Sequence, residues 1–249
     1  MAIITLTTDY GNKDYSVSSL KAKLISEIND INIVDITHDI SPFNLAEAGY
    51  VLEGAFSEFP KGTIHILSVD SELTPENKHI AIMYDGSFFI GADNGVFSLI
   101  FRDKKPDQIV EINLHSNYNY DISADELFVK VASHINRSGP LNVVGSEIDT
   151  IKEITNLRPV INKEMNQILG SVIYIDNYGN VITNITEKLF KEISKTRPFT
   201  INARNVKFSK IHKNYSDAID FNLEKKDREE DGKKIALFNN LGYLQLSVY

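Results

Sequence analysis

The 249-residue chain carries a formal net charge of −8 and no cysteine. That balance argues against nucleic acid as a partner, because phosphate binding needs a basic face, and the missing cysteines exclude disulfides, thiolate metal sites and a cysteine nucleophile. No stretch approaches the roughly 20 apolar residues of a membrane span, and a strand pattern begins at once, so a soluble, cytoplasmic protein without a secretory signal is expected.

The first predicted element is a strand. The stretch I-T-L-T-T-D-Y-G-N, from Ile4 to Asn12, runs β-branched and aliphatic residues into an acid, an aromatic and a glycine, which reads as a strand meeting a turn. Asp14 to Asn29 reads as a helix, with Val17, Leu20, Leu24 and Ile28 on one stripe and Asp14 near its N-terminus. Ile31 to Ile36 is a second strand, followed by the polar loop Thr37-His38-Asp39, and Leu45 to Phe56 a second helix. Thr63 to Val69 is a third strand, ending like the first in an acid, Asp70. The alternation predicts an α/β domain with a largely parallel sheet and right-handed crossovers. Ligands of such sheets bind beyond the carboxyl ends of the strands, where Asp9 and Asp70 fall.

His79 to Met83 and Ser87 to Ile90 predict a hairpin about Asp85-Gly86. Ala92-Asp93-Asn94-Gly95 is a tight turn, Val96 to Phe101 a short element, and Asp125 to Ile135 a helix. Beyond about Gly139 the pattern becomes mixed and polar. Short strands follow at 171–176, 181–186, 199–201, 206–208, 234–239 and 243–248, separated by turn residues; they predict a small antiparallel β-barrel or sandwich. The expected division is therefore an α/β domain over 1–158 and a barrel over 168–249. The charge run from Glu224 to Lys234 reads as a solvated hairpin tip.

Each candidate group has a structural and a chemical reading. Asp9 and Asp70 either cap the turns that follow them or line one crevice, where a carboxylate accepts hydrogen bonds from a sugar diol or polarises a water. Asp176-Asn177-Tyr178-Gly179-Asn180 is either a hairpin turn or a meeting of acid, aromatic face and amide, suited to an ammonium, a base ring and the ring's edge. The six histidines show no H-x-x-x-H or H-E-x-x-H spacing, so no metal is expected. Neither G-x-S-x-G nor a P-loop motif is present, which removes support for nucleophile-elbow hydrolases and P-loop enzymes.

Several segments together resemble the adenosine-forming S-adenosylmethionine hydrolases, relatives of the adenosylmethionine-dependent fluorinase and chlorinase. They are T-T-D-Y-G-N-K-D (7–14), I-V-D-I-T-H-D-I-S-P-F (33–43), F-P-K-G-T-I-H (59–65), S-V-D (68–70), A-D-N-G (92–95), I-D-N-Y-G-N-V-I-T-N-I (175–185) and N-N-L-G-Y-L (239–244). The resemblance implies a homotrimer whose site lies between the α/β domain of one subunit and the barrel of its neighbour. Water would attack C5′ of S-adenosylmethionine, giving adenosine and methionine without a cofactor. It further implies that Asp9 grips the ribose hydroxyls, Phe43 packs near the sugar, and Asp14 and Asp176 take the ammonium of the methionine moiety. Tyr178 would lie against adenine, Asn180 would read its edge, and Asn240 would stand near the methionine carboxylate. The catalytic positions fall on Asp70, Asn77 and Ser123; Asn77 and Ser123 stand where the hydrolases carry an arginine and a histidine. A degenerate, non-catalytic adenosine-binding relative is the alternative implied by those two departures.

Overall fold

The computed structural model describes residues 2–102, 104–114, 122–228 and 231–249, so that His115, one of the histidines weighed above, lies outside the described residues. The chain divides into two compact units, Met1–Ile154 and Thr155–Tyr249.

The first unit is built on a seven-stranded sheet. Its strands are β1 (Ala2–Thr8), β2 (Ile31–Thr37), β3 (Ile64–Ser68), β4 (His79–Tyr84), β5 (Ser87–Ala92), β6 (Gln108–Ile112) and β7 (Gly145–Glu147), ordered β2-β1-β3-β5-β4-β6-β7. β2, β1, β3 and β5 run parallel, whereas β4 pairs antiparallel with both β5 and β6, and β7 antiparallel with β6. The sheet is thus largely parallel on one side and closed on the other by the expected hairpin about Asp85-Gly86. Both residues of that turn take positive φ, 49° and 74°, as a tight hairpin requires.

Helices cover both faces, which is why β3 is buried at every position and alternation is lost. On one face Ile4, Leu6, Ile64 and Ile66 pack against Leu20 and Leu24 of α1 (Ser16–Glu27) and Leu127, Phe128 and Val131 of α4 (Ala124–Asn136). On the other, Leu67, Ile80, Ile82 and Phe89 pack against Leu52 of α2 (Leu45–Phe56) and Phe97 and Ile100 of α3 (Val96–Phe101). α2 and α3 approach closely at Gly49, where an added Cβ would stand 2.9 Å from the Leu99 Cβ. The short element expected over 96–101 is thus a helix. β6, unread in the sequence, lies between β4 and β7 with Ile109, Val110 and Ile112 buried.

The second unit is antiparallel, as expected. Its four-stranded sheet runs β10 (Val172–Ile175), β11 (Val181–Thr186), β15 (Tyr243–Val248), β14 (Lys234–Phe238). Two ribbons accompany it, β8 (Val160–Ile161) with β9 (Ile168–Leu169), and β12 (Ile201–Ala203) with β13 (Val206–Phe208). Phe208, Ala236 and Leu244 form its main buried cluster. A helix absent from the expected pattern, α5 (Glu187–Ser194), follows β11 and is capped by the Thr186 side chain accepting the Leu189 N–H. Its Phe190 ring packs edge-on to Phe199 and Phe238. The charge run is exposed over Glu224–Asp227 but is not a hairpin tip, because β13 pairs with β12, whereas β14, which begins at Lys234, pairs with β15.

Candidate functional site

The strand order reverses beside β1. α1 carries the chain from β1 to β2 on one side, and α2 returns it to β3 on the other. The carboxyl ends of β1 and β3 therefore stand at a topological switch point, the place where open α/β sheets bind ligands. Asp9 directly follows β1, and Asp70 stands two residues beyond β3.

Asp9 Oδ2 accepts the Phe43 backbone N–H at 2.9 Å. Phe43 has a φ of 62° and leaves its ring 71% exposed. The loops after β1 and β2 are joined again by the Gly11 N–H donating to the His38 carbonyl at 2.6 Å. His38 is buried; its Nδ1 lies 2.9 Å from Thr8 Oγ1 and its Nε2 3.1 Å from Asp35 Oδ1. Asp9 is therefore carried on a braced loop pair, with the exposed Phe43 ring tied to it.

Asp70 has a φ of 47°, a left-handed conformation that a non-glycine residue keeps only where its surroundings enforce it. Asn94 Nδ2 donates to the carbonyls of Val69 and Asp70 at 3.0 and 3.1 Å. His79 Nε2 donates to the Ser71 carbonyl at 2.8 Å. Ser71 Oγ lies 2.9 Å from Ser68 Oγ, and Ser68 Oγ donates to Asp125 Oδ1 at 3.1 Å. The Tyr10 hydroxyl reaches the same Asp125 oxygen at 2.6 Å and lies 2.7 Å from Ser68 Oγ. Burial, and then the Asp125 charge, push the Tyr10 phenol far above the ordinary tyrosine range, so it remains a neutral donor. Asp125 stands in the first turn of α4, where the helix dipole favours a carboxylate.

The other predicted residues take more local positions. Asn77 Oδ1 accepts from Lys152 Nζ at 3.0 Å, and its N–H donates to Thr74 Oγ1. Ser123 is exposed and is the N-cap of α4, accepting the Glu126 N–H; this capping is the structural role that its position before a helix dictates. Asp14 is exposed and accepts the Ser16 N–H at 2.8 Å, a backbone bond that holds its carboxyl below the usual range.

In the second unit Asp176, Tyr178 and Asn180 share one turn. Asp176 Oδ1 accepts the N–H groups of Tyr178 and Asn180, each at 2.9 Å, and its Oδ2 accepts Asn180 Nδ2 at 2.7 Å. Asn180 is buried, and its Oδ1 accepts the Tyr215 hydroxyl. Its amide is thus bonded to Asp176 and Tyr215, whereas the resemblance implies that it reads the edge of adenine. The Tyr178 ring is 91% exposed. Asn240 is exposed in the turn between β14 and β15.

Tyr10, Ser68, Ser71, Asn94 and Asp125 join the site without being expected there from the sequence. The signal was present: Tyr10 and Ser68 sit at the ends of the same strands as Asp9 and Asp70, and Asn94 lies in A-D-N-G. Among the described residues no group of three or more His, Asp or Glu is placed to hold a metal ion, and no helix is long and apolar enough to cross a membrane.

The family model described as the SAM hydroxide adenosyltransferase N-terminal domain matches residues 4–145, and the model for the corresponding C-terminal domain matches residues 170–249. The (R)-S-adenosyl-L-methionine hydrolase of Methanocaldococcus jannaschii is 30% identical over 254 aligned residues, spanning 99% of this chain and 88% of that protein. A fluorinase from Actinopolyspora mzabensis is 22% identical over 214 residues, 74% of this chain and 71% of that one. The crystal structure of an uncharacterized conserved protein from Thermotoga maritima shares the fold, with a TM-score of 0.78 at 26% identity, covering 99% of this chain and 92% of the other.

Proposed function

The chain belongs to the SAM hydroxide adenosyltransferase family, and on that premise we propose that it hydrolyses S-adenosyl-L-methionine to adenosine and L-methionine. The water oxygen bonds to C5′ as the C5′–sulfur bond breaks. The bonding pair returns to sulfur, leaving the neutral thioether of methionine, and the water's proton passes to Asp70 and on to solvent. A sulfonium is already a good leaving group, so the protein chiefly has to hold water in line and exclude competing solvent. The observation that carries this reading is the placement of two carboxylates, Asp9 and Asp70, at the carboxyl ends of the neighbouring strands β1 and β3, where the strand order reverses.

In this reading Asp9 takes the ribose hydroxyls, with Phe43 against the sugar, and Asp70 is the base. Asp14 and Asp176 receive the methionine ammonium, Tyr178 stacks on adenine, and Asn240 meets the methionine carboxylate. Asn180 holds the Asp176–Tyr178 turn in shape, because its amide is bonded to Asp176 and Tyr215. The enzyme works as a cytoplasmic homotrimer in which a neighbouring copy supplies Asp176, Tyr178 and Asn240, and it needs no metal or other cofactor. The (R)-epimer at sulfur is the substrate form, following the name of the M. jannaschii relative.

One observation favours a second reading, binding without turnover: Asn77 is tied to Lys152, and Ser123 is spent as a helix cap, which leaves Asp70 without a cationic or imidazole helper at those two positions. Incubating the purified protein with S-adenosyl-L-methionine and following adenosine by chromatography separates the two. Adenosine above the blank supports hydrolysis, whereas saturable binding without adenosine supports the binding module.

A further inference from the structure

We infer that Ser71 is a catalytic residue that accepts a hydrogen bond from the attacking water, whose proton goes to Asp70, and that Asp125 is the positioning residue that sets Ser71 in that role through Ser68. The inference rests on the proposed hydrolysis.

An ionised carboxylate only accepts. Tyr10 gives its hydroxyl hydrogen to Asp125 Oδ1 at 2.6 Å, and Ser68 Oγ, 2.7 Å from the Tyr10 oxygen and 3.1 Å from Asp125 Oδ1, turns its own hydrogen toward that pair. With that hydrogen committed, Ser68 Oγ meets Ser71 Oγ at 2.9 Å as an acceptor, and Ser71 must donate. The Ser71 oxygen is then an acceptor only, next in sequence to Asp70. A water hydrogen-bonded to two acceptors, the Asp70 carboxylate and Ser71 Oγ, has both hydrogens fixed and a lone pair left for C5′. That is the orientation an in-line displacement needs.

The same groups hold the backbone. His79 fixes the Ser71 carbonyl, and Asn94 fixes those of Val69 and Asp70, so the left-handed Asp70 is restrained from both sides. Tyr10 strengthens the device because its half-buried phenol stays protonated, which keeps a permanent donor on Asp125. The network draws on the end of β1, the end of β3 and the first turn of α4. None of its members other than Ser71 needs to touch substrate.

The test compares wild type with Asp125→Asn, Ser71→Ala, the double variant and Ser71→Thr. Asp125→Asn replaces a pure acceptor by a group with a donor, which removes the fixed direction of the chain while keeping its shape. Expected is a fall in kcat of about tenfold or more in each single variant with KM within about twofold, no further fall in the double variant, and recovery in Ser71→Thr. Unchanged kcat in Asp125→Asn, or multiplied losses in the double variant, overturns the inference. Amide hydrogen exchange over residues 68–72 provides a readout that does not depend on turnover. Asp125→Asn should speed exchange there by about tenfold and leave α2 unaltered; unchanged exchange overturns the network. A wild type that forms no adenosine, with exchange responding as expected, overturns the hydrolysis and the role of Ser71 with it but upholds Asp125 as the positioning group of the Asp70 turn.

Discussion

The Phe43 backbone N–H donates to the Asp9 carboxylate at 2.9 Å although the two residues lie 34 apart in sequence. Asp9 thus does two things at once. It follows β1 at the switch point, and it holds in place the loop that presents the exposed Phe43 ring. Removing the carboxylate is expected to release Phe43, whose φ of 62° is strained for an aromatic residue.

Asp9→Ala is therefore expected to weaken adenosine binding by more than about tenfold, since hydrogen bonds to a charged acceptor contribute roughly 1.5–3 kcal/mol each. Titration calorimetry with adenosine measures this directly. An affinity equal to wild type would remove Asp9 from the ribose.

Asp70→Asn keeps the size of the side chain and its backbone ties to Asn94 but removes the carboxylate proposed as the base. Turnover should fall by about 10²–10⁴, the usual contribution of general-base assistance, with KM nearly unchanged. Steady-state adenosine formation gives both constants. A variant with wild-type kcat would move the chemistry away from this strand end.

The strand–helix rhythm of the first 70 residues was legible because β-branched runs, an apolar helical stripe and acids at strand ends all pointed to one topology. α2, β11 and β15 were legible to the residue. β6 was not, because Q-I-V-E-I is too short to distinguish from a loop until β4 and β7 are seen beside it. α5 was missed because E-K-L-F-K-E-I-S directly follows the β-branched run of β11 without a breaker; its signal was the Thr186 cap. At the site, Asp9 and Asp70 were legible as chain punctuation. The Tyr10–Ser68–Asp125 connection was not, since it joins residues up to 115 positions apart and exists only once α4 lies over the strand ends. The inward turn of the Asn180 amide depended in the same way on Tyr215 from a distant loop.

A preference for one sulfur epimer follows from the proposed substrate. A sulfonium is pyramidal, so inverting it exchanges the positions of methyl and methionine chain while the nucleoside stays in place. A site that grips ribose and ammonium together holds the C5′–sulfur bond in line with water for one epimer only. With a mixture of epimers, adenosine release should stop when the (R) fraction is exhausted, as chiral chromatography of the residue would show. Equal consumption of both would mean that the methionine end is not held.

Stability at acid pH should depend on His65. The ring is fully buried on β3, with Nδ1 2.7 Å from Thr5 Oγ1 and Phe56, Phe59 and Phe89 around it. Burial pushes its pKa down from 6.5 to about 4, so the folded protein holds the neutral ring. The unfolded chain takes up the proton first as pH falls, and the folded state is disfavoured relative to it. The contribution is complete above pH 6.5, declines between pH 6.5 and about 4, and is lost below that. It amounts to about 3 kcal/mol at 1.36 kcal/mol per pKa unit. In urea unfolding at a series of pH values, the stability advantage of wild type over His65→Gln should therefore shrink as pH drops from about 7 to about 4. A difference that stays constant over that range would show that His65 takes up its proton equally in the folded and unfolded chains.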